Sequence, residues 1–245
     1  MILMSIYLVY AGALLIVLSL RNVAAAPMSA AAVLPGARIL IIGGTGGTGR
    51  ELVAQALERG YAVTALIRVP SRLAITHPNL TVIRGDVLNA AAVDDAVAGQ
   101  NAVVCALGHK RFFGPSRILS GGTRNLLRAS EAHGVSRLIC QTSLGIGNSA
   151  GHMGLYYTLF VIPVILPFYF WDKTRQEQVT AAGRTPWIIV RPAALSNGAG
   201  RGRCRSGQVG GFVLTPGIRR ADVARFMLDQ LTDNTHLGTT VGVAS

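Results

Sequence analysis

Residues 39–50 read ILIIGGTGGTGR, four branched apolar residues running straight into a patch of glycines and threonines. Gly43, Gly46 and Gly49 stand at GxxGxxG spacing. They follow a predicted strand, 38–42, and open a predicted helix, 47–59, in which Leu52, Val53, Ala56 and Leu57 share one face. The strand–turn–helix context gives the glycine triplet its meaning. Glycine lets the backbone turn tightly and approach a pyrophosphate, and the helix N-terminus offers free N–H groups and a positive dipole end. Gly43, Gly46, Gly47 and Gly49 form the candidate cradle, with Thr45 and Thr48 as hydroxyl donors. The alternative is a tight strand–helix turn with no ligand.

Strands and helices alternate along the remainder of the chain. Predicted strands at 61–67 and in NLTVIRGDV, NAVVCALG, VSRLICQTS, WIIVRP and GTTVGVAS alternate with predicted helices in NAAAVDDAVAG, GGTRNLLRASEAHG, DKTRQEQVTAAG and RRADVARFMLDQL. Gly60, Gly99 and Gly134 fall at helix ends. The strands are continuous apolar runs, which signals a parallel sheet covered on both faces. The 245 residues are 50% apolar and 14% charged, without internal repeats. They predict one α/β domain, a doubly wound parallel sheet over 37–245, preceded by an apolar segment and an Ala/Pro-rich linker in 1–36.

The end of the second strand selects among dinucleotides. An Asp or Glu there binds the ribose 2′-hydroxyl of NAD, whereas an Arg suits a 2′-phosphate. The sequence ALIRVPSRL has no acid and places Arg68 and Arg72 around Ser71. Guanidinium groups match phosphate in charge and fork geometry. NADP(H) is therefore favoured over NAD(H), against the reading of two solvated surface arginines. Asp86, after the third strand, either contacts adenine or caps the next helix.

In order, GGTGGTG, GYAVTALIRVPSRL, GDVLNAAAV, NAVVCALG and GGTRNLLRASEAHGVSRLICQTS resemble the atypical short-chain dehydrogenase/reductase group of NAD(P)H-binding proteins, the branch that includes biliverdin-IXβ/flavin reductase. The resemblance spans 38–245 and is most specific over 38–145. The later DKTRQEQVTAAGRTPWIIVRPAALSNG is similar to that group's K-x-x-x-E helix and R-P strand end. It implies a Rossmann fold and dinucleotide binding, and far less about substrate. It also implies that the glycine loop with Arg68 and Arg72 holds the adenosine half and that Leu107 and Gly108 lie along the cofactor. Thr142 and Ser143 would sit beside the nicotinamide, with Pro192 and Ala193 walling it.

Many members of the wider superfamily use Ser, Tyr and Lys, and this chain carries Tyr169 and Lys173 at Y-x-x-x-K spacing beyond Ser143. A phenol can protonate a carbonyl oxygen as hydride arrives, a nearby ammonium lowers its pKa, and a serine hydroxyl holds the carbonyl. Ser143, Tyr169 and Lys173 are the candidate catalytic residues. Pro167 argues against a helix reaching back through Tyr169. It predicts initiation near Trp171 or Asp172, with Asp172 as cap, leaving Tyr169 off the lysine's helical face. The alternative needs no tyrosine: hydride passes directly to a flat conjugated acceptor and solvent supplies the proton. Glu177 reads as an i,i+4 partner of Lys173. Cys105 and Cys140 end apolar runs and read as buried thiols, Cys204 as an incidental loop thiol. None has metal-ligand spacing, so no metal site is expected. His109 and His152 stay unassigned.

The net charge of +12 raises nucleic acid, membrane or an anionic ligand as partners. The arginines are scattered and no nucleic-acid motif is present, so nucleic acid is not expected. The first twenty residues carry no charge, long enough for a membrane anchor in 2–20. A secretory signal needs a positive n-region, but the first charge, Arg21, follows the apolar run, which places the body in the cytoplasm. A second reading makes 1–27 an upstream extension before a start at Met28. Another apolar stretch, 155–171, is uncharged and holds seven of the chain's fifteen aromatics. Pro163 and Pro167 are expected to break a helix there. It lines a pocket for a flat or greasy substrate, packs against a second copy in a homodimer, or dips into a membrane surface. The combined expectation is an NADPH-dependent oxidoreductase passing hydride to a quinone, flavin or carbonyl. The alternatives are a non-catalytic NADP(H)-binding redox sensor and a membrane-associated enzyme acting on a lipid.

Overall fold

The computed structural model describes residues 2–109 and 111–245. In chain order the elements are α1 (Ile2–Ser19), β1 (Arg38–Ile42), α2 (Gly47–Glu58), β2 (Ala62–Ile67), β3 (Leu80–Arg84), α3 (Ala90–Val97), β4 (Ala102–Cys105), α4 (Ile118–Ala132), β5 (Arg137–Gln141), a π-helix (Tyr157–Ile165), α5 (Pro167–Ala181), β6 (Trp187–Pro192), β7 (Ala194–Ser196), β8 (Arg205–Gly207), β9 (Gly217–Arg219), α6 (Arg220–Asp229) and β10 (Thr240–Ala244). Eight strands form one sheet in the order β3-β2-β1-β4-β5-β6-β10-β8. All neighbours run parallel except β8, which pairs antiparallel with β10. The expected doubly wound α/β sheet is present. The short pair β7–β9 lies outside it.

The unbroken apolar run of β1 has a packing cause. Ile39 and Ile41 face one layer, with Leu52 and Val53 of α2 and Val223 and Met227 of α6. Leu40 and Ile42 face the other, with Val93 of α3 and Leu126 of α4. A strand between two helical layers has no wet face, so no polar position interrupts it. The chain moves outward from β1 through β2 to β3, then returns to place β4 on the other side of β1. This reversal is the switch point at which open α/β sheets form a ligand crevice beyond the strand C-termini.

Residues 21–36 lie along the domain. The amide of Ala26 donates to Gly238 O and that of Val33 to Leu231 O, at 2.9 and 2.8 Å. Val23 packs on Trp187 and Ile189. The fully buried guanidinium of Arg137 fastens the strap: Nη2 reaches Ala31 O at 2.6 Å and Asn234 Oδ1 at 2.9 Å, and Nη1 reaches Gln230 O at 2.6 Å.

The stretch 155–171 departs from expectation. A π-helix runs unbroken through Pro163, but the run is interrupted before Pro167: Leu166 has φ −118° and ψ 21°, and α5 begins directly at Pro167. Proline at the first helical position lacks only an N–H that has no intrahelical acceptor, so it starts α5 instead of stopping it. Tyr169 therefore lies inside α5, one turn before Lys173 and on its face. α1 packs against the π-helix, with the Tyr7 hydroxyl donating to Leu159 O and that of Tyr10 to Pro163 O at 3.0 Å.

Candidate active site

The glycine turn leaves β1 at the reversal point. Gly43 has φ 83°, and a Cβ there would lie 2.4 Å from Ala106 O, because the ends of β1 and β4 meet at this residue. At Gly49 a Cβ would lie 2.0 Å from Gly43 O, so the first turn of α2 closes directly onto the strand end. Gly46 is the N-cap and has no side chain to satisfy the first amides of α2. Gly46 and Gly47 are exposed, Thr45 is half-buried and Thr48 is buried. Exposed, uncapped helix amides behind a turn that tolerates no Cβ fit a pyrophosphate.

Cationic groups surround this turn. Arg68 and Arg72 are exposed just past β2, Arg72 in a short 3₁₀ turn. Arg50, the residue after Gly49, joins them: its Nη2 donates to Arg72 O at 3.3 Å. Arg220, at the start of α6, crosses the turn from the opposite side, and a Cβ at Gly47 would lie 2.4 Å from its Cδ. Sequence reasoning overlooked both. Arg50 was legible from its adjacency to the turn; Arg220 carries no local signal. Asp86 does not cap α3. Asn89 does, accepting from Ala91 and Ala92 at 3.1 and 3.2 Å. Asp86 accepts from Leu88 N at 2.9 Å and shapes the turn after β3.

At the other half of the crevice, α5 organises the ends of β4 and β5. The buried ammonium of Lys173 donates to Leu107 O, Gln141 O and Gln176 Oε1, at 3.1, 3.0 and 3.1 Å. All three protons are committed, which makes Lys173 a clamp between two strand ends. Its ammonium lies 5.7 Å from the centre of the Tyr169 ring. The Tyr169 hydroxyl lies above Gly108, 3.6 Å from where a Cβ would stand. The phenol thus faces the floor formed by Leu107 and Gly108. Ser143, half-buried after β5, donates to Leu144 O at 3.0 Å.

Glu177 does not pair with Lys173. It lies on the sheet side of α5 and receives Arg191 twice, Nε at 2.9 Å and Nη2 at 2.7 Å, as well as the Thr142 hydroxyl at 2.6 Å. Arg191 Nη1 continues to Asn148 Oδ1 at 2.6 Å. This buried carboxylate–guanidinium pair orients Thr142, whose hydroxyl therefore faces inward, and braces the strand end beside Pro192 and Ala193, both buried. Asp172 is not a cap of its own helix. It caps α4, accepting from Leu119 N, Ser120 N and Ser120 Oγ at 3.0, 3.2 and 2.6 Å.

His109 completes the rim. Its ring meets Tyr169 edge-on at 5.0 Å, its Nδ1 accepts from Arg111 N at 3.1 Å, and its Nε2 lies 4.0 Å from Asp172 Oδ2. Burial holds the imidazole below its usual range, aided by Lys173 and Arg111 and opposed by Asp172. Cys105 and Cys140 are buried side by side on β4 and β5, and burial pushes Cys204 up to about 11.

A family model described as NAD(P)H-binding matches residues 43–234. The chloroplastic protein At2g34460 of Arabidopsis thaliana is 29% identical over 175 residues, covering 65% of this chain and 60% of that one. A 3-beta-hydroxysteroid dehydrogenase of Mycolicibacterium neoaurum is 34% identical over 117 residues, covering 43% of this chain and 32% of its own length. The chain spans less than two thirds of either relative. A short-chain dehydrogenase/reductase of Veillonella parvula, solved in complex with NADP, superposes with a TM-score of 0.72 at 18% identity, over 85% of this chain and 94% of that one.

Proposed function

The chain belongs to the NAD(P)H-binding family, and from that premise we propose that it is an NADPH-dependent oxidoreductase acting on a conjugated or carbonyl acceptor such as a quinone or flavin. The carrying observation is the set of arginines about the glycine turn: the Arg50 guanidinium reaches the backbone carbonyl of Arg72, Arg68 and Arg72 stand on one exposed segment, and the ALIRVPSRL strand end has no acid. The NADP held by the Veillonella relative supports the same reading. The amides of Gly46, Gly47 and Thr48, with Arg220 beside them, would hold the pyrophosphate, and Arg50, Arg68 and Arg72 would hold the 2′-phosphate. Bound there, the cofactor supplies a hydride to the acceptor. Leu107 and Gly108 form the floor, while Ala193 and Pro192 hold the far wall.

Tyr169 donates the matching proton to the acceptor oxygen, and Ser143 positions that oxygen. Lys173 acts at one remove, by fixing the carbonyls of Leu107 and Gln141. Its full coordination favours a second reading, a redox sensor that binds NADP(H) without turnover. The apolar segments 2–20 and 155–171 agree with a small, apolar acceptor.

Calorimetric titration of the full-length protein tests both. NADPH is expected to bind tighter than NADH, and Arg68→Ala to weaken NADPH by about tenfold, the value of one charged hydrogen bond. Equal affinity for both nucleotides refutes the 2′-phosphate assignment, and binding of neither removes the function. Oxidation of NADPH with quinones and flavins then separates the two readings, since a sensor binds without turnover.

A further inference from the structure

α1 has a surface unlike that of the α-helices of the sheet domain. Its eighteen residues carry no charge, and only Ala11 and Leu18 are buried. Leu3 is 83% and Val9 72% exposed. The helix is nonetheless attached along most of its length. Tyr7 and Tyr10 donate to carbonyls of the π-helix, and Leu14 and Leu18 pack with Ile162, Leu166 and Phe170. The π-helix is equally free of charge and exposes Phe160 and Val164, with Tyr156 and Phe168 at its ends. Two uncharged helices in contact, both showing large apolar side chains outward, make one continuous patch of the kind water does not tolerate.

The border of this patch has a distinct chemistry. Arg21, the first charge after α1, stacks on the Trp171 ring at 4.3 Å, and Arg175 approaches the same ring at 5.6 Å. Down one face of α5 the chain reads Phe168, Trp171, Arg175, Gln178: apolar, aromatic, basic, polar. That is the order met on passing from acyl chains through the interface to water. Beyond Arg175 the cleft between α4 and α5 is lined by Arg117, Arg124 and Arg128 against a single acid, Glu131. A second copy of this chain, itself at +12, would meet this basic border with like charge, whereas an anionic headgroup layer complements it.

We propose that α1 and the π-helix together seat in one leaflet of an anionic membrane, with Trp171, Arg21 and Arg175 at headgroup depth. The contacts from Tyr7 to Leu18 keep α1 along the domain, so the face lies on the bilayer and does not cross it. Tyr169 packs at the inner edge of the same cluster that holds Leu18 and Phe170. An acceptor dissolved in the leaflet therefore reaches the phenol without entering water. This last step rests on the proposed redox function; the docking does not.

Flotation of the full-length protein with vesicles of phosphatidylcholine, with and without phosphatidylglycerol, tests the proposal, and NADPH affinity serves as the folding control. Flotation is expected with both, stronger and salt-sensitive with the anionic lipid. Val9→Glu and Phe160→Glu are each expected to reduce it by about tenfold or more, with NADPH affinity unchanged. Brominated lipid is expected to quench Trp171 and leave buried Trp187 emitting. The proposal fails if neither vesicle captures the protein, if the substitutions leave capture unchanged, if the protein is a stable dimer that ignores lipid, or if the membrane-bound chain proves to lack α1 on N-terminal sequencing. Should NADPH fail to bind while flotation holds, the redox function falls and the docking stands.

Discussion

Among the described residues His109 Nε2 is a buried polar atom with no hydrogen-bond partner, 4.0 Å from a carboxylate that is itself engaged in capping α4. Because Nδ1 accepts from Arg111 N, the neutral ring carries its proton on Nε2. Adding a second proton removes that acceptor and places a charge among Lys173, Arg111 and the edge of Tyr169, with only Asp172 to favour it. The folded-state pKa is lowered from 6.5, so the unfolded chain binds more protons than the folded one once pH falls below that value. Stability then rises with pH through this window and is undiminished by His109 above it. Replacement by an uncharged side chain removes the dependence. His109→Gln is expected to lose less melting temperature than the parent between pH 7.5 and pH 5, roughly the window below the unfolded histidine pKa, with the two alike at the upper end. A parallel pH dependence in both proteins refutes the assignment.

Among the elements, α5 carries most of the organisation. One helix supplies the Tyr169 phenol, the Lys173 clamp, the Glu177 brace and, through Asp172, the cap of its neighbour α4. Asp172→Ala strands two buried amides and a hydroxyl of α4, and is expected to lower unfolding free energy by about 2–4 kcal/mol in urea titration. Asp172→Asn should recover part of it, because one amide oxygen can still accept. The glycine turn, β1 and the strand–helix alternation were legible in the sequence because each is a local pattern that burial on both faces enforces. The start of α5 was not. A proline two residues before Tyr169 reads as an obstruction unless it is known to occupy the first helical turn, and that is decided by the preceding π-helix. Glu177 and Arg191 lie fourteen residues apart on different elements, and Glu177 has a nearer lysine at i−4. Only the packing of α5 on the sheet shows that this lysine faces the strand carbonyls instead. Arg220 reaches the glycine turn from the last helix, a proximity no spacing encodes.

In the whole molecule the strap 21–36 joins two ends of the sheet. It leaves α1 near Asn148, whose amide donates to Asn22 Oδ1 at 3.3 Å, passes Trp187, and enters β1 beside Arg137. Arg137→Ala unfastens it. The expected result is faster hydrogen exchange at Ala26 and Val33 with the amides of β1 still protected, read by mass spectrometry; unchanged protection at both residues would show that the strap holds without its guanidinium. The hydrogen bond from Tyr7 to Leu159 spans 152 positions of sequence. A ribosome adding about 5–20 residues per second takes roughly 8–30 s to make the second partner after the first. An equal interval separates their emergence, and until it ends α1 lacks the π-helix against which it packs, whereas a bilayer is a surface that exists already. The order of synthesis therefore favours α1 reaching lipid before it reaches its own domain. The domain would then assemble against a helix that is already seated.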